Sequence, residues 1–173
     1  MLRKRRWAVA RVLLLGMGNV LMGDDGLGVH ALRALEGRDL AGADRLELGT
    51  SLADCFSVLE GYEHIVALDA VVAGEKPGSL YWLSRDSFVR MRSGRLTLHD
   101  DDLLDALDLA ALRGFRPTLH VAGMEPLCWQ HWSLELSAPV RAAMPGYLES
   151  VCTRVRHLSE GGADISDRVF PYC

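Results

Sequence analysis

The chain has 173 residues, of which 49% are hydrophobic and 24% charged, and its formal net charge is −4 at neutral pH. That length and balance suit one compact domain with a sizeable core and exclude a generally basic nucleic-acid binder. No apolar run approaches the roughly 20 residues of a membrane helix, so neither nucleic acid nor membrane is an expected partner.

The basic cluster Arg3-Lys4-Arg5-Arg6 reads as a solvated extension over residues 1–7. The apolar run behind it is broken by Arg11 and ended by Gly16-Met17-Gly18-Asn19, which argues against a signal peptide and for a cytoplasmic protein. Residues 8–15, rich in Val and Leu and closed by glycine, predict a buried strand. A helix follows over 26–35, with Leu27, Ala31, Leu32 and Leu35 on one face. A short strand is expected at 45–48, a helix at 52–59 and a third strand at 64–70. Gly74, Pro77 and Gly78 mark a loop over 71–78.

Tyr81 and Trp82 give strand character to 79–83, and 85–98 has no clear period. Leu103, Leu104, Leu107 and Ala111 share a face of a helix over 100–112, with Asp100, Asp101 and Asp102 at its positive end. A fifth strand at 118–122, a tryptophan-bearing loop at 125–132 and a helix at 138–158, delayed or kinked by Pro145, complete the core. Residues 159–173 read as a mobile tail. The alternation predicts one α/β domain over 1–173 with its core at about 8–158. It is a three-layer sandwich: a mostly parallel, five-stranded twisted sheet with helices on both faces. The fourth strand, reached by a short loop, is placed at an edge where it can run antiparallel.

In such sheets ligands gather beyond the carboxyl ends of the strands. Asp24-Asp25, Asp69 and His99 fall there. Asp69 is the most informative, because it stands in the apolar run Ile65-Val66-Ala67-Leu68-Asp69-Ala70-Val71-Val72, where an aspartate is costly unless paired, hydrogen-bonded or metal-bound. The competing structural reading has it bonding loop amides. Asp24 or Asp25 could equally cap the following helix, and His99 could be a plain loop histidine just ahead of one. Together, two carboxylates and an imidazole would suit a borderline divalent ion with positions left open. Cys55, Cys128, Cys152 and Cys173 form no CxxC pair and show no zinc-finger spacing with histidine, so they read as structural thiols.

Gly16-x-Gly18-Asn19-x-Leu21-x-x-Asp24-Asp25-Gly26-x-Gly28 resembles the opening motif of the hydrogenase maturation proteases. Leu68-Asp69-Ala70, His99 before an amphipathic helix, and Gly123-Met124-Glu125-Pro126 match later landmarks of that family. The resemblance spans roughly residues 9–157. It implies an endopeptidase that removes a C-terminal peptide from the nickel-loaded precursor of a nickel–iron hydrogenase large subunit. It also implies that Asp25, Asp69 and His99 form the catalytic metal site, with nickel brought by the precursor or another divalent ion in its place. Asp24 is left as a supporting group or proton acceptor. Where the family has Asp-Gly-Gly-Thr after the second strand, this chain has Glu47-Leu48-Gly49-Thr50, keeping only Gly49 and Thr50 for substrate choice.

Three alternatives stand beside this reading. One is a nickel-binding accessory factor that cuts nothing. A second is a peptidase of the same fold with another substrate. The third is a nucleotide-binding module built on the glycine-rich loop, with Glu47 as ribose ligand, against which Leu21 and the acidic pair both argue.

Overall fold

The structure is a computed structural model. It describes the backbone of residues 10–50, 58–92, 98–162 and 168–170 and the side chains of 10–50, 58–90 and 103–162. The basic extension, most of the helix expected at 52–59, and Cys55 and Cys173 lie outside the described residues.

The chain runs β1 (Val12–Met17), a 3-10 turn (Gly23–Gly26), α1 (Leu27–Ala34), β2 (Asp44–Gly49), β3 (His64–Ala70) and β4 (Leu80–Ser84). It continues through α2 (Arg85–Arg92), α3 (Leu98–Leu112), β5 (Thr118–Met124), α4 (Ala138–Ser159) and β6 (Arg168–Phe170). The sheet order is β2-β1-β3-β5-β4-β6. β1, β2, β3 and β5 are parallel, and β4 runs antiparallel to β5. The expected three-layer α/β sandwich is therefore present. The five predicted strands are joined by a short sixth: Arg168–Phe170, inside the stretch expected to be a tail, pairs with β4 and takes the edge position.

Two further boundaries differ from expectation. The period-free stretch after β4 contains α2, and α3 begins at Leu98, so His99 sits in its first turn rather than ahead of it. α4 runs through Pro145 to Ser159 without a break.

Strand residues alternate between two cores, as a period of two requires when both faces are covered. Val12, Leu14, Val66, Leu68, Trp82 and Ala122 pack with Leu27 and Leu32 of α1 and with Tyr147 and Val151 of α4. Leu13, Leu15, Ile65, Ala67, Leu83 and Val121 pack with Phe88 of α2 and with Leu103 and Leu107 of α3. Among the described residues no helix is long and apolar enough to cross a membrane.

From β1 the chain passes to β2 on one side, and the next strand, β3, lies on the other. The sheet thus changes winding direction between β1 and β3, and in such folds ligands bind beyond the carboxyl ends of the strands at this switch point. Both acidic candidates stand there.

Candidate active site

The glycine pattern after β1 is a packing device. A side chain on Gly28 would place its Cβ 1.8 Å from the carbonyl oxygen of Leu68, so α1 lies directly against the end of β3. Gly18 has φ of +101°, and a Cβ there would lie 1.8 Å from the carbonyl oxygen of Asp25. The loop consequently folds back on the acidic turn, and the turn packs on β3. Asp25, three residues before Gly28, and Asp69, the residue after Leu68, are thereby brought to the same end of the sheet.

The two adjacent aspartates are put to different uses. A 3-10 turn advances about 120° per residue, so consecutive side chains leave in different directions. Asp24 turns inward and is 1% exposed. Its Oδ2 accepts hydrogen bonds from the amides of Leu127 (2.9 Å) and Cys128 (3.1 Å) and from the Ser137 hydroxyl (2.7 Å), and its Oδ1 accepts one from the Ser137 amide (2.7 Å). Its own amide donates to the Cys128 carbonyl. Asp24 is thus a staple, joining the turn after β1 to the segment between β5 and α4. With its oxygens committed to four donors and no access to solvent, it is unsuited to the proton-accepting role considered from sequence. Neither aspartate stands at a helix N-cap position: those of the 3-10 turn and of α1 are Met22 and Gly26.

Asp25 is half-buried. Its Oδ2 accepts the Asn19 amide at 2.8 Å, and the Asn19 side chain in turn accepts the Leu21 amide at 3.0 Å. The amides of Gly18, Met22, Gly23 and Asp25 also donate within the protein. A loop whose amides are spent internally has no cradle to offer a phosphate. Glu47, the ribose ligand of the nucleotide reading, is held by Arg33 at 2.6 Å and 2.8 Å.

Asp69 is buried, and its Oδ1 accepts the amide of Ala70 at 2.8 Å. Beneath it the Tyr147 hydroxyl donates to the Ala122 carbonyl. Burial, and then the charge of Asp69, push that phenol well above its ordinary range, so it stays protonated.

A second buried acid, Glu125, mirrors Asp24. Its carboxylate accepts the amides of Ala73 (2.9 Å) and Gly74 (3.1 Å) and the Tyr81 hydroxyl, fixing the loop that follows Asp69. Desolvation and the neighbouring Glu125 carboxylate push the Tyr81 phenol upward, which keeps it a donor. Two stapling acids therefore flank the two candidate ligands.

The other predicted residues are placed less completely. His99 lies in the first turn of α3, and its side chain lies outside the described residues. Gly49 ends β2 with φ of +55°, and its carbonyl accepts the Gly18 amide at 3.0 Å; Thr50 follows, exposed. Cys128, read from the sequence as a structural thiol, has its Sγ 3.1 Å from Nδ1 of His131, three residues on. Among the described residues no three His, Cys, Asp or Glu side chains cluster at metal-binding distance. The two carboxylates at this end of the sheet are of a donor type that a hard or borderline divalent ion accepts.

Fold and site together define a doubly wound α/β protein with two aspartates, Asp25 and Asp69, at the same end of its sheet. The family model for hydrogenase maturation protease matches residues 29–154. A hydrogenase expression/formation protein, HupD, from Bradyrhizobium diazoefficiens is 30% identical over 166 residues, spanning 93% of this chain and 84% of that protein. The NiFe hydrogenase maturation protease HybD from Thermococcus kodakarensis superposes with a TM-score of 0.71 at 31% identity, covering 84% of this chain and 99% of that one. The hydrogenase maturating endopeptidase HybD from Escherichia coli shares the fold, with a TM-score of 0.77 at 24% identity over 93% of this chain and 97% of that chain. The chain belongs to the hydrogenase maturation protease family, a family of hydrolases acting on peptide bonds.

Proposed function

We propose that this protein is the endopeptidase that removes a C-terminal peptide from the nickel-loaded precursor of a nickel–iron hydrogenase large subunit, acting in the cytoplasm. The observation that carries the reading is the division of labour within Asp24-Asp25. One acid is consumed in holding the site together, which leaves the other, with Asp69, at the switch point of the sheet.

In this reading nickel arrives as part of the substrate. Asp25, Asp69 and His99 would hold it, each a ligand type suited to a borderline divalent ion. The bound ion would supply Lewis acidity to the scissile carbonyl or to a water. The chain's own residues do the remaining work. The Ala70 amide orients Asp69, while the Asn19 amide orients Asp25. Gly49 and Thr50, tied to Gly18 beside the acidic turn, border the path of the substrate chain and contribute to its choice. No covalent route is invoked.

The test is the intact mass of the large-subunit precursor after incubation with this protein. Loss of one defined C-terminal peptide supports the assignment. A stable complex with an unchanged mass would make the protein an accessory factor instead.

A further inference from the structure

We propose that Leu21, Trp132 and Leu134 form a fixed apolar shelf beside the acidic turn, on which an apolar segment of the protein substrate docks; this rests on the function proposed above. These three side chains are 42%, 81% and 68% exposed. Large apolar side chains gathered at one place on a surface mark an interaction site more often than scattered ones do.

The shelf is held by backbone. Met22 and Ser133 form a parallel β-bridge, in which the Ser133 amide donates to the Leu21 carbonyl (3.0 Å) and the Gly23 amide to the Ser133 carbonyl (2.8 Å). In extended backbone the neighbours of a bridged residue project to the side opposite its own. Trp132 and Leu134 therefore share a side, and Leu21 lies next to Trp132 across the bridge. Asp24 fixes the same segment from below through Leu127, Cys128 and Ser137.

Two features select the occupant. The shelf is continuous with the site: Leu21 stands four residues before Asp25 on the same folded-back loop. Residues 126–134 also contain no Lys, Arg, Asp or Glu, so an apolar peptide segment is matched and a charged one is not. A protease that cuts one protein must draw binding energy from chain beyond the scissile bond. This shelf is where the described surface offers it.

The test measures KM and kcat on nickel-loaded precursor for wild type, Trp132→Ser, Trp132→Ser/Leu134→Ser and Leu112→Ser. Leu112 is 86% exposed at the far end of α3 and serves as the control. The double variant is expected to raise KM at least about ten-fold with kcat within about three-fold, and the single variant to move the same way. Because both side chains are exposed, unfolding midpoints should not change. Wild-type cleavage with KM unchanged in both shelf variants overturns the shelf and leaves the proposed function standing. So does a wild-type dimer that Trp132→Ser dissociates while KM stays constant, since the occupant would then be a second copy. Failure of the wild type to bind or cleave the precursor overturns the proposed function and the shelf with it.

Discussion

Asp24→Asn replaces a carboxylate by a group of the same shape that carries two N–H donors. Oδ2 of Asp24 faces three donors and Oδ1 faces one, the Ser137 amide. The least costly amide orientation keeps its oxygen toward the three and sets its NH2 against the Ser137 N–H. One charge-assisted bond is then lost, at about 1.5–3 kcal/mol, and the others weaken to neutral strength. The donors lie on a segment that is itself exposed or half-buried and can relax, so a total of about 3 kcal/mol is expected. For a chain of this size that lowers the thermal midpoint by roughly 6–12 °C. Amide hydrogen exchange localises the effect: Leu127, Cys128 and Ser137 should exchange faster well before the sheet does. Asp25→Asn, which keeps an oxygen for the Asn19 amide, should cost only about 1 kcal/mol. Equal midpoints for Asp24→Asn and wild type, with unchanged exchange at those three amides, would refute the staple.

Two other predictions follow from the packing of the site. Gly28→Ala should cost about 3 kcal/mol or more, because α1 cannot approach Leu68 with a Cβ in place, whereas Gly37→Ala, at φ of +75° with open space around it, should cost only about 1 kcal/mol. Equal thermal midpoints for the two variants would contradict the close contact between α1 and β3. Cys128→Ser should leave precursor processing within about twofold of wild type despite the neighbouring His131; a loss of about a thousandfold in a single-turnover assay would instead mean that the thiol attacks the peptide bond.

The sheet was legible because its strands are buried on both faces and written as near-continuous apolar runs. Asp69 was legible for the same reason, as an acid where only apolar residues belong. Glu125, between Met124 and Pro126 just past the end of β5, carries the same signal more faintly, because the residues that follow it have no strand period. Asp24 and Asp25 could not be told apart, since neighbouring acids have the same composition. Their roles diverge only through the angular step of a 3-10 turn and through partners more than 100 residues away. The contact between Cys128 and His131, and the bridge from Met22 to Ser133, depend on a loop with no periodicity to read. β6 lies in a polar stretch that pairs only because β4 otherwise leaves an edge.

In the function proposed here, Asp25 and Asp69 form the working end of a nickel-checking protease while Asp24 only supports it. Its most direct test is intact-mass analysis of precursor, nickel-loaded and nickel-free, incubated with wild type, Asp25→Asn and Asp69→Asn, each first shown to be folded. Wild type alone should release one C-terminal peptide from loaded precursor, and none from nickel-free precursor. Cleavage by Asp25→Asn at the wild-type rate, or equal cleavage of loaded and nickel-free precursor, would contradict it.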